Sequence, residues 1–235
     1  ANRLRSLIHK LFTFARERGA DIPNPVTGIP KFREEKRKRF LMRDEAGPFF
    51  RALNAETNTT IKHFVTLALC TGIRSGNIRA GRWEQINFNA STWHLPEAKG
   101  GAYTVPLTSW ALEVLRDRRE MYSGDWIFPA EGWSKTGHLG DPHKAWKALT
   151  AQAGIEGLRI HDLRRTLASW MSMEGISYPV ISTALGHAVG TGAITMIYAR
   201  TDLETVRTAM ETALAAMLRA GGVDVLHFER KSGSR

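Results

Sequence analysis

With 235 residues, of which 43% are hydrophobic and 24% charged, the chain has the composition of a globular protein and enough length for a sizeable core. Its formal net charge of +10 is strongly basic and favours a polyanionic partner, of which nucleic acid is the commonest. The single cysteine, Cys70, excludes an internal disulfide and a cysteine-based zinc site, as is typical of a reducing cytoplasm. The sequence has no long apolar run and no signal-peptide pattern, which argues against a membrane location.

The first 39 residues are predicted to form a separate N-terminal segment. Apolar side chains recur at helical spacing up to Gly19, which predicts one amphipathic helix (Leu4, Leu7, Ile8, Leu11, Phe12 and Ala15). Since the chain begins with Ala1 rather than Met, we expect this helix to be the last of a preceding domain that has been cut away. Residues 20–39 hold prolines and end in the charged run 33–39, a composition typical of an interdomain linker. Two interpretations of this run stay open: a solvated connector, or a strap across a phosphate backbone.

From Phe40 onward the pattern is that of one compact, mainly helical domain, predicted to span residues 40–235. Asp44 is a candidate N-cap for its first helix, and Asn58 or Thr59 for its second. The helices predicted from apolar spacing and caps span 44–53, 58–70, a short stretch near 74–81, 109–121, about 140–153, 160–174, 179–186, 191–198 and 202–219.

Residues 83–107 are the one stretch that favours β-structure. The predicted strands are Ile86–Phe88, Thr92–Leu95 and Tyr103–Leu107, separated by turns, so a small antiparallel sheet is expected. Lys99 then lies at the tip of the second hairpin. A lysine at such a tip commonly serves solubility, and the alternative is a mobile ammonium group with a chemical role.

Residues 158–170 combine a core-facing stripe with a polar pair. His161 and Arg164 are three residues apart, so on a helix they project from one face. Such a pair suits work on a phosphate, because a guanidinium binds two oxygens and an imidazole transfers a proton. The alternative is an ordinary helix with a capping histidine and a solvated arginine. The stripe itself consists of Leu163, Leu167 and Trp170.

Several other chemistries lack the residues they need. The acidic residues are scattered, which argues against a two-metal nuclease, and no metal or cofactor is expected. His138 and His143 lack the spacing and the acidic companion of a metal site. The glycines at 190 and 192 form an incomplete dinucleotide fingerprint, and neither a P-loop nor a Gly-x-Ser-x-Gly elbow is present. The remaining hypothesis is phosphate chemistry carried out by cationic side chains without a metal.

Five short motifs, in this order, resemble the catalytic domain of the tyrosine recombinases, the phage integrase family. They are Thr71-Gly72-Ile73-Arg74, the Lys99 hairpin closed by Val105-Pro106-Leu107, His161-Asp-Leu-Arg164-Arg-Thr, Leu185-Gly186-His187 and Ile197-Tyr198-Ala199-Arg200. The resemblance spans roughly residues 40–200, and the linker features are most similar to integrases of prophages and genomic islands. It implies a mainly α fold with a small antiparallel sheet, the catalytic core of the DNA breaking-rejoining enzymes.

The resemblance also implies a mechanism and six catalytic residues. Tyr198 would attack a DNA phosphodiester and leave a 3′-phosphotyrosine link and a free 5′-hydroxyl. The roles of the other five are phosphate binding by Arg74 and Arg164, proton acceptance or relay by His161, a hydrogen bond to the phosphate from His187, and protonation of the leaving 5′-oxygen by Lys99.

Three points go beyond these roles. The residue types alone do not rank Tyr103, Tyr122, Tyr178 and Tyr198 as nucleophile, and only the family position selects Tyr198. Asn77 stands where many relatives carry an acidic residue, and we expect it to have a minor supporting role. The helix and tail at 201–235 resemble an element exchanged between protomers, and packing on its own domain is the equal alternative.

The sequence therefore predicts a site-specific DNA recombinase that cleaves and rejoins strands without metal or ATP. The alternatives are a type IB topoisomerase-like nicking-closing enzyme and a catalytically silent DNA-binding relative. The expected partners are double-stranded DNA attachment sites, a homotetramer on DNA, and DNA-bending and excision accessory proteins. The expected location is the bacterial cytoplasm, in association with the nucleoid.

Overall fold

A computed structural model describes residues 1–35, 37–98, 101–186 and 202–223. The chain divides into two compact units, Ala1–Lys38 and Arg39–Arg235. Within the described ranges, no helix combines the length and the apolar character needed to cross a membrane.

The first unit contains helix α1 and a segment that folds back along it. Helix α1 spans Asn2–Glu17, and Gly19 follows it with a φ of 86°. The Asn2 amide donates to the carbonyl of Phe32 (2.9 Å) and accepts from the Phe32 N–H (2.9 Å), and Arg5 Nε donates to the carbonyl of Ile29 (2.7 Å). One apolar row of the helix stays exposed: Leu4, Leu7, Leu11 and Phe14.

The second unit is mainly helical with one small sheet, as the sequence predicted. Its helices are α2 (Arg43–Ala55), α3 (Thr59–Thr71), α4 (Ser75–Arg79), α5 (Ser109–Met121), α6 (His143–Gln152), α7 (Ile160–Met173), α8 (Tyr178–Ala184) and α9 (Leu203–Ala220). Its strands are β1 (Ile86–Asn87), β2 (Thr92–Leu95) and β3 (Tyr103–Pro106). The helix predicted at 191–198 lies outside the described residues.

The helix caps explain where α2 and α3 begin. Asn58 caps α3, because its side-chain oxygen accepts from the Ile61 N–H at 3.1 Å. The prediction that Asp44 caps α2 is wrong. The helix begins one residue earlier, at Arg43, and the Glu45 carboxylate accepts from the Met42 N–H at 2.9 Å. Glu45 thus stabilises the helix start from the third helical position, by binding the N–H of the N-cap residue.

The core lies where α3, α7 and α9 pack together, with α2 beside them. The completely buried Trp170 shows how the chain entering this unit is fixed, because its indole N–H donates to the carbonyl of Leu41 at 2.9 Å. The Leu41 N–H in turn donates to Thr166 on the same helix, at 2.9 Å. Cys70 is buried within α3, as the sequence predicted, and burial raises the pKa of its thiol.

The sheet has the order β1-β2-β3 and is antiparallel throughout. Trp93 pairs with Ile86 and Val105 across the register, and its side chain is completely buried. A β-carbon on Gly81 would lie 2.5 Å from the Trp93 ring, so a glycine is needed where the chain passes this indole. The sheet thus seals one side of the core and sets the base of the hairpin that carries Lys99.

Helix α9 packs on α7, α2 and α8 of its own chain. Val206, Met210, Leu214 and Met217 form its buried stripe. The tail from residue 224 onward lies outside the described residues.

Candidate functional site

Arg164 lies at the centre of the candidate site and is held by two backbone carbonyls. It projects from α7 and is 5% exposed. One terminal nitrogen, Nη1, donates to the carbonyl of Gly72 at 2.6 Å, and Nη2 donates to the carbonyl of Leu185. A guanidinium has five N–H groups, so these two carbonyls engage only two of them. Arg164 is therefore buried and structural as well as cationic, and the alternative of a solvated arginine is wrong.

The two carbonyls belong to the ends of two helices. Helix α3 ends at Thr71, its C-cap Gly72 has a left-handed φ of 61°, and Arg74 follows two residues after Gly72. Helix α8 ends before Leu185, which is followed by Gly186. Arg164 thus ties together the segments that lead to Arg74 and to His187.

Arg74 faces the same region from the start of α4. It has extended backbone angles and is the N-cap residue of that helix. Its Nη1 is buried and has no hydrogen-bond partner among the described residues. Arg74 is near enough to Arg164 and His161 to disfavour their positively charged forms, so the three side chains form one cluster. A buried donor without a partner is costly, and an oxyanion would satisfy it.

His161 stands at the beginning of α7 beside the two arginines. Partial burial lowers the pKa of its imidazole, Arg165 and Arg164 lower it further, and Asp162 opposes them. The ring is therefore neutral near pH 7 and can accept a proton. His161 does not cap α7, because the Asp162 carboxylate fills that role by accepting from the Arg159 N–H at 2.9 Å.

The charge on Arg164 is held in an unfavourable position. Burial lowers the pKa of its guanidinium, and nearby Arg74 lowers it further, while Tyr103 acts in the opposite direction. Two cations that lie together without a carboxylate between them attract a polyvalent anion. Within the described ranges, no three His, Cys, Asp or Glu side chains lie together as a metal site.

Two further polar groups are buried near these elements. Nδ2 of Asn77, on α4, has no hydrogen-bond partner in the described part of the chain, and the hydroxyl of Tyr103, on β3, belongs to a side chain that acts on Arg164. Sequence reasoning considered Tyr103 only as one of four candidate nucleophiles and missed its place beside Arg164. The one feature of the sequence that could have indicated a role for Tyr103 near the site was its position on the strand that closes the Lys99 hairpin.

Three of the six predicted catalytic residues are thus brought together: Arg74, His161 and Arg164. The other three, Lys99, His187 and Tyr198, lie outside the described residues, and their roles remain predictions. The described residues nearest to them in sequence are Ala98 for Lys99, Gly186 for His187 and Asp202 for Tyr198.

Comparisons with known proteins show the family of this chain. A family model described as the phage integrase family matches residues 39–205. The integrase of Salmonella phage P22 is 32% identical over 170 residues, which cover 67% of this chain and 42% of that protein. The shufflon-specific DNA recombinase of Escherichia coli is 30% identical over 190 residues, which cover 77% of this chain and 46% of that protein. The chain thus spans less than half the length of these curated relatives.

Solved structures show the same fold at low sequence identity. A lambda integrase(75–356) dimer bound to a COC′ core site matches with a TM-score of 0.61 and 21% identity, over 80% of this chain and 71% of that one. The integrase from mycobacterium phage Brujita matches with a TM-score of 0.60 and 18% identity, over 91% of this chain and 75% of that one.

Proposed function

Because the chain belongs to the phage integrase family, we propose that it is the catalytic part of a site-specific DNA recombinase. The reaction is cleavage and rejoining of DNA strands through a 3′-phosphotyrosine intermediate. The observation that carries this proposal is the convergence of Arg74, His161 and Arg164, in which a neutral imidazole lies beside two guanidinium groups. That combination binds a phosphate and leaves a base ready to accept a proton.

The two arginines have different tasks at the phosphate. Arg74, whose Nη1 has no partner in the described part of the chain, is free to turn its guanidinium towards the non-bridging oxygens. Arg164 is fixed by its two carbonyl bonds and offers its other N–H groups from a set position. Preorganised donors of this kind stabilise the charge that grows during in-line attack.

The remaining steps balance as a transesterification. The Tyr198 oxygen forms a bond to phosphorus while the bond from phosphorus to the 5′-oxygen breaks, so no bond energy is lost to water. His161 accepts the phenol proton, Lys99 protonates the leaving 5′-oxygen, and His187 donates a hydrogen bond to the phosphate. Reversal of the same steps with another 5′-hydroxyl rejoins the strands without ATP.

The wider assembly is proposed from charge and from relatives. The net charge of +10 and the basic run at 33–39 suit binding across the DNA backbone, with residues 1–39 as the end of a core-binding domain and its linker and 40–235 as the catalytic domain. A lambda integrase structure is a tetramer bound to a Holliday junction. We infer that this chain also forms a tetramer on attachment-site DNA, with exchange of 201–235 between protomers, in the cytoplasm at the nucleoid. DNA-bending and excision proteins are its proposed accessory partners.

A nicked DNA substrate tests the chemistry directly. The DNA carries the junction sequences that flank the gene. A nick close to the cleavage site lets the short fragment that bears the free 5′-hydroxyl diffuse away, which traps the covalent adduct. We expect the wild-type chain to form the adduct, Tyr198→Phe to form none, and Tyr178→Phe, whose side chain is exposed, to behave as wild type.

The outcomes that contradict the proposal identify its alternatives. Salt-sensitive DNA binding without an adduct would indicate a catalytically silent relative. Relaxation of any supercoiled plasmid, irrespective of attachment sequence, would indicate a topoisomerase-like enzyme.

A further inference from the structure

The turn that leads to His187 rests on an aromatic ring. Gly186 ends this turn with a left-handed φ of 55°, and its N–H donates to the Thr183 carbonyl at 2.9 Å. A β-carbon on Gly186 would lie 2.2 Å from Cδ2 and Cε2 of Tyr103. The ring therefore occupies the space of a side chain, and only glycine meets both requirements at this position.

This contact joins two elements that are distant in sequence. Tyr103 begins β3 and pairs with Leu95 of β2, so it belongs to the base of the hairpin that carries Lys99. Gly186 immediately precedes His187. The Tyr103 ring thus connects the strand that leads to Lys99 with the turn that leads to His187.

The same ring lies next to Arg164. Tyr103 acts to raise the pKa of the Arg164 guanidinium, against the effect of burial, and its hydroxyl is buried. Arg164 binds the carbonyl of Leu185, and Tyr103 packs on the next residue, Gly186. Consecutive residues of the turn are therefore fixed from two sides.

We propose that Tyr103 is a positioning residue of the strand-transfer site, whose ring holds the Gly186 turn in register with Arg164 and the Lys99 hairpin. The inference rests on the proposed function and deepens it, because it identifies what sets the mutual position of groups from separate elements. A displacement of about 1 Å within such a site can cost about 10²-fold in rate, so a supporting ring has a measurable effect.

Two substitutions of Tyr103 separate the ring from the hydroxyl. Tyr103→Phe keeps the ring, and we expect adduct formation at saturating protein within about threefold of wild type. Tyr103→Leu removes the ring, and we expect a rate about 10- to 100-fold lower with DNA affinity within about twofold, since positioning affects the chemical step. Tyr122→Leu is the matched control, because Tyr122 is also half-buried and lies outside the site, and its rate should stay near wild type.

Gly186→Ala tests the contact from the opposite side and serves if Tyr103→Leu fails to fold. The added methyl group meets the ring, so we expect slower adduct formation, and the double variant with Tyr103→Leu should be no slower than the worse single variant. Any of three results would overturn the inference. The rate losses of Gly186→Ala and Tyr103→Leu could be additive in the double variant, Tyr103→Leu could form the adduct as fast as wild type, or Tyr103→Phe could be as slow as Tyr103→Leu. Absence of the adduct in the wild type as well would overturn the proposed function with it, whereas a wild-type adduct restricts the failure to Tyr103.

Discussion

The two arginines of the site should differ sharply in their importance for folding. Arg164 is buried and bonded to the carbonyls of Gly72 and Leu185, whereas the Arg74 side chain is half-buried and its Nη1 has no hydrogen-bond partner in the described part of the chain. We therefore predict that, without DNA, Arg164→Met destabilises the chain and Arg74→Met does not. Methionine retains an apolar stem of similar reach, so the comparison isolates the guanidinium.

The magnitude follows from the bonds lost. A hydrogen bond to a charged group contributes about 1.5–3 kcal/mol, so two such bonds contribute about 3–6 kcal/mol. Removal of a buried cation returns part of this, since burial lowers the pKa of Arg164 and thus opposes its charged form. We expect a net loss of about 2–4 kcal/mol for Arg164→Met, against about 0.5 kcal/mol or less for Arg74→Met.

Urea denaturation followed by tryptophan fluorescence measures both variants against the wild type. Arg164→Lys is an informative intermediate, because one ammonium replaces the fork that spans two carbonyls, and it should lie between Arg164→Met and the wild type. Equal midpoints for the two methionine variants, or a greater loss for Arg74→Met, would refute the assignment of Arg164 as the structural link between α3 and α8.

Three further predictions concern other parts of the second unit. Burial lowers the pKa of His63 to about 4, with Arg118 and Lys62 adding to the effect, so the folded state keeps this imidazole neutral. The free energy of unfolding should be at its full value above pH 6.5 and fall by about 3 kcal/mol as the pH falls to about 4. Urea denaturation at several pH values across this window measures the change. His63→Gln should make the free energy less dependent on pH, whereas His94→Gln, at an exposed position, should not. Asn58→Ala should cost about 1 kcal/mol in the same assay because it removes the α3 cap, while Thr59→Ala should cost less than half of that. Asn77→Ala should retain adduct formation, because the side-chain nitrogen Nδ2 of Asn77 has no hydrogen-bond partner in the described part of the chain. A loss as complete as that of Tyr198→Phe would contradict this.

Local patterns predicted the elements well, because the information they need lies within a few residues. The Asn58 cap, the stripe of α7 and the three strands all follow from side chains and neighbours close in sequence. The exception is Asp44, because α2 begins at Arg43 and it is the Glu45 carboxylate that binds the N–H of the N-cap residue Met42. Two carboxylates one residue apart are not distinguished by pattern alone.

The geometry of the site depended on distant contacts, and those were only partly predictable. The resemblance selected Arg74, His161 and Arg164, and the structure brings them together. Nothing in the sequence indicated that Arg164 would bond to the carbonyl of Gly72, which lies 92 positions earlier. The position of Tyr103 beneath Gly186 was equally inaccessible, because it arises from the packing of β3 against the end of α8.

The double attachment of Arg164 has a consequence for how such chains lose activity over evolutionary time. A lineage released from selection for strand cleavage can replace Arg74 without harm to its fold. Replacement of Arg164 removes the two hydrogen bonds that join the ends of α3 and α8, and so destabilises the fold. An arginine retained at the position of Arg164 in a divergent homologue is therefore weak evidence that the homologue still cleaves DNA. An arginine retained at the position of Arg74, which the fold does not need, is the stronger indication of strand cleavage.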